Sequence, residues 1–258
     1  MAEFTKHDIG KLLAKQGILI AFALFIIGFT IANPKFLSID NFENVVGNLD
    51  LSVGSMMSFS TIVVLDLHDK LGPTLAIPVM FAMTLSLGAF IGFLVGYLKL
   101  NSLIVTLGML SAIHGLTLTY SGGKNMDIAD KEGTWFAIFG QGNVLGIQTP
   151  ILMFIALAAL LGIILAKTPF GRKVYAVGGN GTAATFSGIK RARVVFLCYV
   201  MSAFCVATAG LIQASRSMGS QNTVGQGLEL EVLAAVILGG ASLLGGSGTI
   251  FKTVVGVL

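Results

Sequence analysis

Hydrophobic and charged positions are not interspersed along this chain but sorted into long blocks. Uncharged stretches cover 71–98, 100–123, 133–166, 194–215 and 232–251, with the most apolar cores at 75–97, 102–120, 150–166, 194–215 and 232–251. The hydrocarbon core of a bilayer needs about 20 apolar residues of helix to cross it, so each block predicts a transmembrane span. A shorter block, 17–32, lies between Lys15 and Pro34 and follows Lys6, Lys11 and Lys15. It has the layout of a signal peptide, but spans continue after it, which predicts a retained signal anchor. The expected fold class is all-α, a polytopic integral membrane helix bundle. A single transmembrane domain is expected over 1–258.

Composition agrees with this pattern. Of the 258 residues, 55% are apolar and 11% charged, where a soluble domain carries roughly 25% charged. The 33 glycines are about twice the usual share, as expected where helices must approach closely in lipid. Gly88, Gly92 and Gly96 repeat every four residues and share one helix face. "LGGASLLGGSG" (238–248) is denser still and contains Gly239, Gly240, Gly245 and Gly246. It predicts either a tightly packed or locally broken helix, or a half-span lining a polar path. It is not a phosphate-binding P-loop, because no lysine directly follows the glycines. Cys198 and Cys205 are seven positions apart in one apolar block, about 10 Å on a helix and too far for a disulfide.

The net charge of +4 matters through its placement. Basic residues cluster at 6–15 and at 167–193, with Lys167, Arg172, Lys173, Lys190, Arg191 and Arg193, whereas 124–132 is mildly acidic. The positive-inside bias places both basic clusters, and so the N-terminus, in the cytoplasm. Four crossings (17–32, 75–97, 102–120, 150–166) satisfy that placement. A crossing by "LSVGSMMSFSTIVVL" (51–65) reverses the parity unless a partner span precedes it.

Within the second basic cluster, "VYAVGGNGTAA" (174–184) begins with a strand-like run and matches the dinucleotide fingerprint through Gly179, Gly181 and Ala184. That reading needs a βαβ unit and an acidic residue about 20 positions on. A long uncharged span follows instead, and the next acidic residue is Glu229. The segment therefore reads as a cytoplasmic loop with its own short helix, 182–189, longer than the 2–8 residues that merely connect helices.

"TPFGRKVYAVGGNGTAATFSGI" resembles the cytoplasmic coupling loop of ribose-type permeases, the carbohydrate-uptake family of bacterial ABC transporters. "FLSIDNFENV" (36–45), "DLSVGS" (50–55), "IVTLGML" (104–110) and "GLELEVLAAVILGGASLLGGSGTI" (227–250) match the family in the same order. The resemblance implies a permease of the bacterial inner membrane that pairs with a second permease subunit. It further implies cytoplasmic ABC ATPase subunits and an extracytoplasmic solute-binding protein as partners, with membrane lipid around the chain and no nucleic acid. ATP and Mg would be held by the partner ATPase and no cofactor by this chain, which is not itself an enzyme. ATPase coupling is carried over to Gly171, Arg172, Tyr175, Gly178, Gly179, Asn180, Ala183, Ala184, Ser187 and Gly188.

Polar residues inside spans are functional candidates by default. Asp50, Ser52, His114, Gln213 and Glu229 are the candidates for a substrate pathway. Each also has a structural reading: local structure for Asp50 with Ser52 and Ser55, an interfacial or structural His114, interhelical hydrogen bonding by Gln213 and Ser215, and helix-dipole or capping interaction by Glu229. Three histidines on separate segments and no carboxylate pair inside a span core argue against a metal or acid–base site.

The chain also departs from the family it resembles. Only "VGNL" (46–49) lies between the N-F-x-N-V segment and D-L-S-V-G-S, where the family has a whole span. One span of about 20–25 residues is therefore expected to be missing, and restoring it corrects the parity. The resemblance also implies further spans beyond "TVVGVL". A branched-chain amino-acid permease of the same superfamily, or a truncated relative without transport, is the alternative. The sequence does not name the solute.

Overall fold

The computed structural model describes residues 49–129, 133–242 and 245–257. Helix α1 spans Val53–Leu71, α2 Pro73–Gly96 and α3 Ser102–Ser121. A 3-10 turn at Trp135–Ala137 leads into the short α4, Ile138–Gln141, and α5 covers Thr149–Lys167. Helices α6 (Pro169–Gly179) and α7 (Gly181–Phe186) precede the long α8, Arg191–Ser217. Helices α9 (Leu228–Leu238) and α10 (Ile250–Val257) complete the described order. Among the described residues, strand is confined to two-residue pieces: β1 (Met126–Asp127) with β4 (Gly219–Ser220), and β2 (Asn143–Val144) with β3 (Ile147–Gln148), both antiparallel.

Among the described residues, four helices, α2, α3, α5 and α8, are long and apolar enough to cross a membrane. Their ends follow local chemistry. Asn101 caps α3 by accepting from the amides of Leu103 (3.0 Å) and Ile104 (3.3 Å), which satisfies donors that a helix start leaves open. Gly72 turns the chain between α1 and α2, and Pro73 stands at the start of α2, where its missing N–H costs nothing.

Helix α1 packs between α2, α3 and α8 and carries much of the core. Met56, Phe59, Ile62, Val63, Val64 and Leu65 are buried, and so are Ser55, Ser58, Ser60 and Thr61. Those hydroxyls lower its hydropathy, but they have hydrogen-bond partners, some within the helix and one beyond it. Ser60 and Thr61 donate to the Met57 carbonyl at 2.9 and 2.7 Å, and Ser58 Oγ accepts from the Gly225 amide at 3.0 Å. This packing places the 51–65 segment inside the bundle. At 19 residues, about 28 Å, α1 runs alongside the spans.

The glycine face of α2 meets α8. A Cβ on Gly88 would run into Ala203 Cβ, and one on Gly92 would sit 3.0 Å from the Phe196 carbonyl and 3.1 Å from Tyr199 Cβ. On Gly96 it would meet the Ala192 carbonyl at 2.8 Å. Close backbone contact of this kind replaces side-chain interdigitation in lipid, where dispersion rather than the hydrophobic effect holds helices together. The end of the bundle bearing Lys99, Lys167, Arg172, Lys173 and Arg191 is called the basic end below.

At the opposite end, the segment after α3 is pinned to the bundle. His68 Nε2 and Thr134 Oγ1 lie 2.9 Å apart, and the Ala129 amide donates to Asp69 at 3.0 Å. Ser215 Oγ donates to the Phe136 carbonyl at 2.6 Å and accepts from the Gly140 amide at 2.7 Å. The expected span at 232–251 is not continuous. Helix α9 stops at Leu238, a glycine-rich turn follows, and α10 starts at Ile250. Gly239 backs onto Lys252 and Gly256 onto Ala235, so the two short helices run antiparallel. The turn breaks where Gly240, Gly245 and Gly246 take positive φ (77°, 84° and 75°), a backbone state costly for other residues.

Candidate functional site

The site is built from two structures at the basic end: the α6–α7 segment and a cavity behind it. Thr168 starts α6 by accepting from the Gly171 amide at 3.2 Å, with Pro169 following at the first helical position. The run 174–177, strand-like by composition, is helical here, because this cap and the helical phase it sets override the β preference of Val and Tyr. Gly178 and Gly179 accordingly end α6 rather than precede the next helix as free hinges. Asn180 then caps α7 by accepting from the Ala183 amide at 2.8 Å. Gly188 closes α7 at φ 81°. The short helix is thus Gly181–Phe186, a little earlier than the 182–189 expected.

Among the candidate coupling residues, Arg172, Gly179, Asn180, Ala183, Ser187 and Gly188 are exposed or nearly so, whereas Gly171 and Ala184 are buried. Phe186 projects from α7 at 88% exposure. The ring thus stands on a capped, basic segment.

The cavity, about 490 Å³, lies between α6, α8 and the α9–α10 turn. Asp50, Tyr175, Gly178, Tyr199, Ser202, Ser242, Ser247 and Thr249 supply polar or backbone groups to a wall otherwise made of Leu, Val and Ile. Asp50 is fixed by three donors: the Ser52 amide (3.1 Å), Ser52 Oγ (2.6 Å) and, on its other oxygen, Ser202 Oγ (3.0 Å). The Tyr199 hydroxyl donates to the Leu49 carbonyl at 3.2 Å. Ser202 is the twelfth residue of α8, so the carboxylate sits about 16 Å in from the basic end. A carboxylate at such depth must be hydrogen-bonded or line a polar path, and here it is hydrogen-bonded beside a cavity.

The structure gathers Asp50, Tyr175 and Gly178 around this cavity and leaves other candidates elsewhere. His114 Nε2 lies 3.4 Å from Gln226 Nε2 on the far side of α3. Gln213 is near the opposite end of α8, where its carbonyl accepts from Ser217 Oγ at 2.8 Å. Glu229 stands in the first turn of α9 against Gly54, where its charge suits the helix dipole. Ser202 and Tyr199 were not singled out from the sequence, although a hydroxyl in an uncharged span was the available signal.

The residues matched by known proteins extend over this whole arrangement. The family described as "Branched-chain amino acid transport system / permease component" matches residues 37–258. This chain belongs to that permease family. A ribose import permease protein RbsC of Haemophilus influenzae is 33% identical over 277 residues, covering 99% of this chain and 86% of the relative. The Bacillus subtilis RbsC is 35% identical over 265 residues (95% and 82%). The L-arabinose transport system permease protein AraH of Escherichia coli is 33% identical over 276 residues (98% and 83%). No solved structure matches. The permease is therefore a helical membrane protein.

Proposed function

We propose that the chain is the transmembrane subunit of a binding-protein-dependent ABC importer for a pentose-like sugar. The observation that carries this reading is the α6–α7 segment, a capped basic element with an outward Phe186, in a chain whose relatives bear the names of ribose and L-arabinose permeases. The segment seats on a cytoplasmic ATPase subunit, which holds ATP and Mg, and a second permease subunit completes the pathway. An extracytoplasmic binding protein delivers the solute. Closure of the ATPase pair pushes α7, and the pathway changes the side it faces. The exposed candidates Arg172, Gly179, Asn180, Ala183, Ser187 and Gly188 make a rigid surface: caps at Thr168 and Asn180 fix both helices, so a push is not absorbed locally.

In this reading the basic end is cytoplasmic and the N-terminus lies on the same side of a bacterial inner membrane. With α1 running the depth of the bundle, that placement needs one more crossing ahead of it. Alignment length leaves room for such a segment. The H. influenzae relative aligns over 277 positions, more than the 258 residues of this chain. The unmatched positions number about 20, one span's worth of helix.

The test is uptake by proteoliposomes holding the permease with its co-purified ATPase and binding protein, supplied with labelled ribose, L-arabinose or leucine. ATP-dependent accumulation of a pentose is expected. Accumulation of leucine alone establishes the amino-acid alternative, and no ATP-dependent uptake of any of the three overturns the pentose reading.

A further inference from the structure

Residues some seventy positions apart in sequence meet at one seam between α6 and the α9–α10 turn. The Tyr175 hydroxyl donates to the Gly248 carbonyl at 2.7 Å. One turn along the same face of α6, a Cβ on Gly178 would lie 2.6 Å from the Gly246 amide nitrogen and 3.2 Å from its Cα. Seen from the other side, a Cβ on Gly246 would meet the Gly179 nitrogen at 2.8 Å. Backbone lies directly on backbone, so no side chain is present to yield when one segment moves against the other.

The two sides of α6 therefore have different jobs. Toward solvent it carries Arg172 and Lys173 and continues through Asn180 into α7. Inward, Tyr175 and Gly178 line the cavity together with Gly245, Gly246, Ser247, Gly248 and Thr249 of the turn, across from Asp50 and Ser202. We propose that the Tyr175–Gly248 hydrogen bond and the Gly178–Gly246 contact transmit movement of the coupling segment to residues 245–249, which open or close the cavity at the basic end. Tyr175 is then a positioning residue, and residues 245–249 are the gate it holds. This inference rests on the importer reading above for the source of the movement.

The physical basis is stiffness on both sides of a narrow contact. Helices α6 and α7 are capped and share Asn180, which ends one and caps the other, so displacement of α7 displaces α6. Residues 245–249 have no regular structure of their own. They can follow α6, or the hydrogen bond and the backbone contact must break. Following costs less, which makes the seam a link rather than a slip plane.

The test uses the full complex of permease, ATPase and binding protein in proteoliposomes, with Cys198→Ser, Cys205→Ser and Thr253→Cys introduced. Thr253 lines the cavity, and its replacement is labelled by a membrane-impermeant maleimide added at the basic end. Labelling rate is compared with and without a non-hydrolysable ATP analogue, and solute moved per ATP is measured in parallel. Tyr175→Phe keeps the ring and removes the hydroxyl. It is expected to reduce the nucleotide-dependent change in labelling, and the solute moved per ATP, by about five-fold, the scale of one net hydrogen bond, while ATPase co-purification is unchanged. Gly178→Ala is the second variant, with Gly162→Ala as control because a Cβ there reaches only Ile250 at 4.0 Å. Wild-type labelling response in both Tyr175→Phe and Gly178→Ala overturns the seam. If no solute is transported by the parent complex but its labelling still responds to nucleotide and loses that response in Tyr175→Phe, the seam stands and the pentose reading falls.

Discussion

Two glycine-rich regions of this permease bring backbones together for opposite ends. On α2, Gly88, Gly92 and Gly96 sit inside an unbroken helix and press on α8. In the α9–α10 turn, Gly245 and Gly246 have left-handed backbones and press on α6. The first region spends its missing side chains on a long, straight interface that any bulk would wedge apart. The second uses them both to bend the chain and to let the bend touch a neighbouring helix. A stripe at intervals of four builds a scaffold, whereas a cluster of adjacent glycines interrupts a span and leaves a segment able to move.

The comparison is broken most severely at the stripe. Gly88→Leu places bulk against Ala203 and the Tyr199 carbonyl, and overpacking of a tight interface costs about 3 kcal/mol. Loss of the monodisperse peak in detergent chromatography, or a fall in thermal midpoint of many degrees, is the expected result. A Gly88→Leu protein with wild-type melting would mean that α2 and α8 are not held by this face. Gly246→Ala comes next. Its strained φ and the close Gly179 backbone together cost about 2 kcal/mol locally. Because the turn lies outside the α1–α2–α8 core, the expected outcome is a small change in melting and a large loss of ATP-dependent uptake. Equal loss in both assays would erase the distinction between scaffold and moving segment.

The stripe was readable from the sequence because its period is that of a helix face, and the long apolar blocks at 75–97, 102–120, 150–166 and 194–215 became α2, α3, α5 and α8. The block at 232–251 was readable in outline, since its glycine run at 238–248 pointed to a packed or locally broken helix or a half-span, and positive φ at Gly240, just past Leu238, is where α9 ends. A misreading threatened α1, whose buried hydroxyls dilute its hydropathy although Ser60 and Thr61 bond to its own carbonyls and Ser58 accepts from the Gly225 amide. Asp50 stood out as a charge next to an apolar block. Its partner Ser202, about 150 residues away, did not, since nothing in local pattern pairs one serine with one carboxylate across two helices.

That pair sharpens the comparison, since Asp50 stands across the cavity from residues 245–249 but is anchored to α8, the helix that receives the stripe. Ser202→Ala removes the donor to one carboxylate oxygen and leaves it without that partner. A hydrogen bond to a charged group contributes about 1.5 kcal/mol, so a modest fall in thermal midpoint is expected, rescued in part by Ser202→Thr. If Ser202→Ala instead leaves melting unchanged and alters the KM for solute, Asp50 serves the pathway more than the fold.

The smallest effect separates the two glycine regions from a third kind. Gly108 on α3 is exposed, and a Cβ there meets nothing within 4 Å. Inside one chain it neither bends the backbone nor admits a neighbour, so Gly108→Ala should raise the thermal midpoint slightly, by the ~0.5–1 kcal/mol that alanine gains over glycine in a helix. The same substitution carries a second readout in the assembled transporter. A gain in the isolated permease that persists in the complex makes Gly108 a lipid-facing position with no packing duty. A gain in the isolated permease that turns into weaker association between permease subunits makes it a scaffold glycine like Gly88, with its partner backbone on another chain.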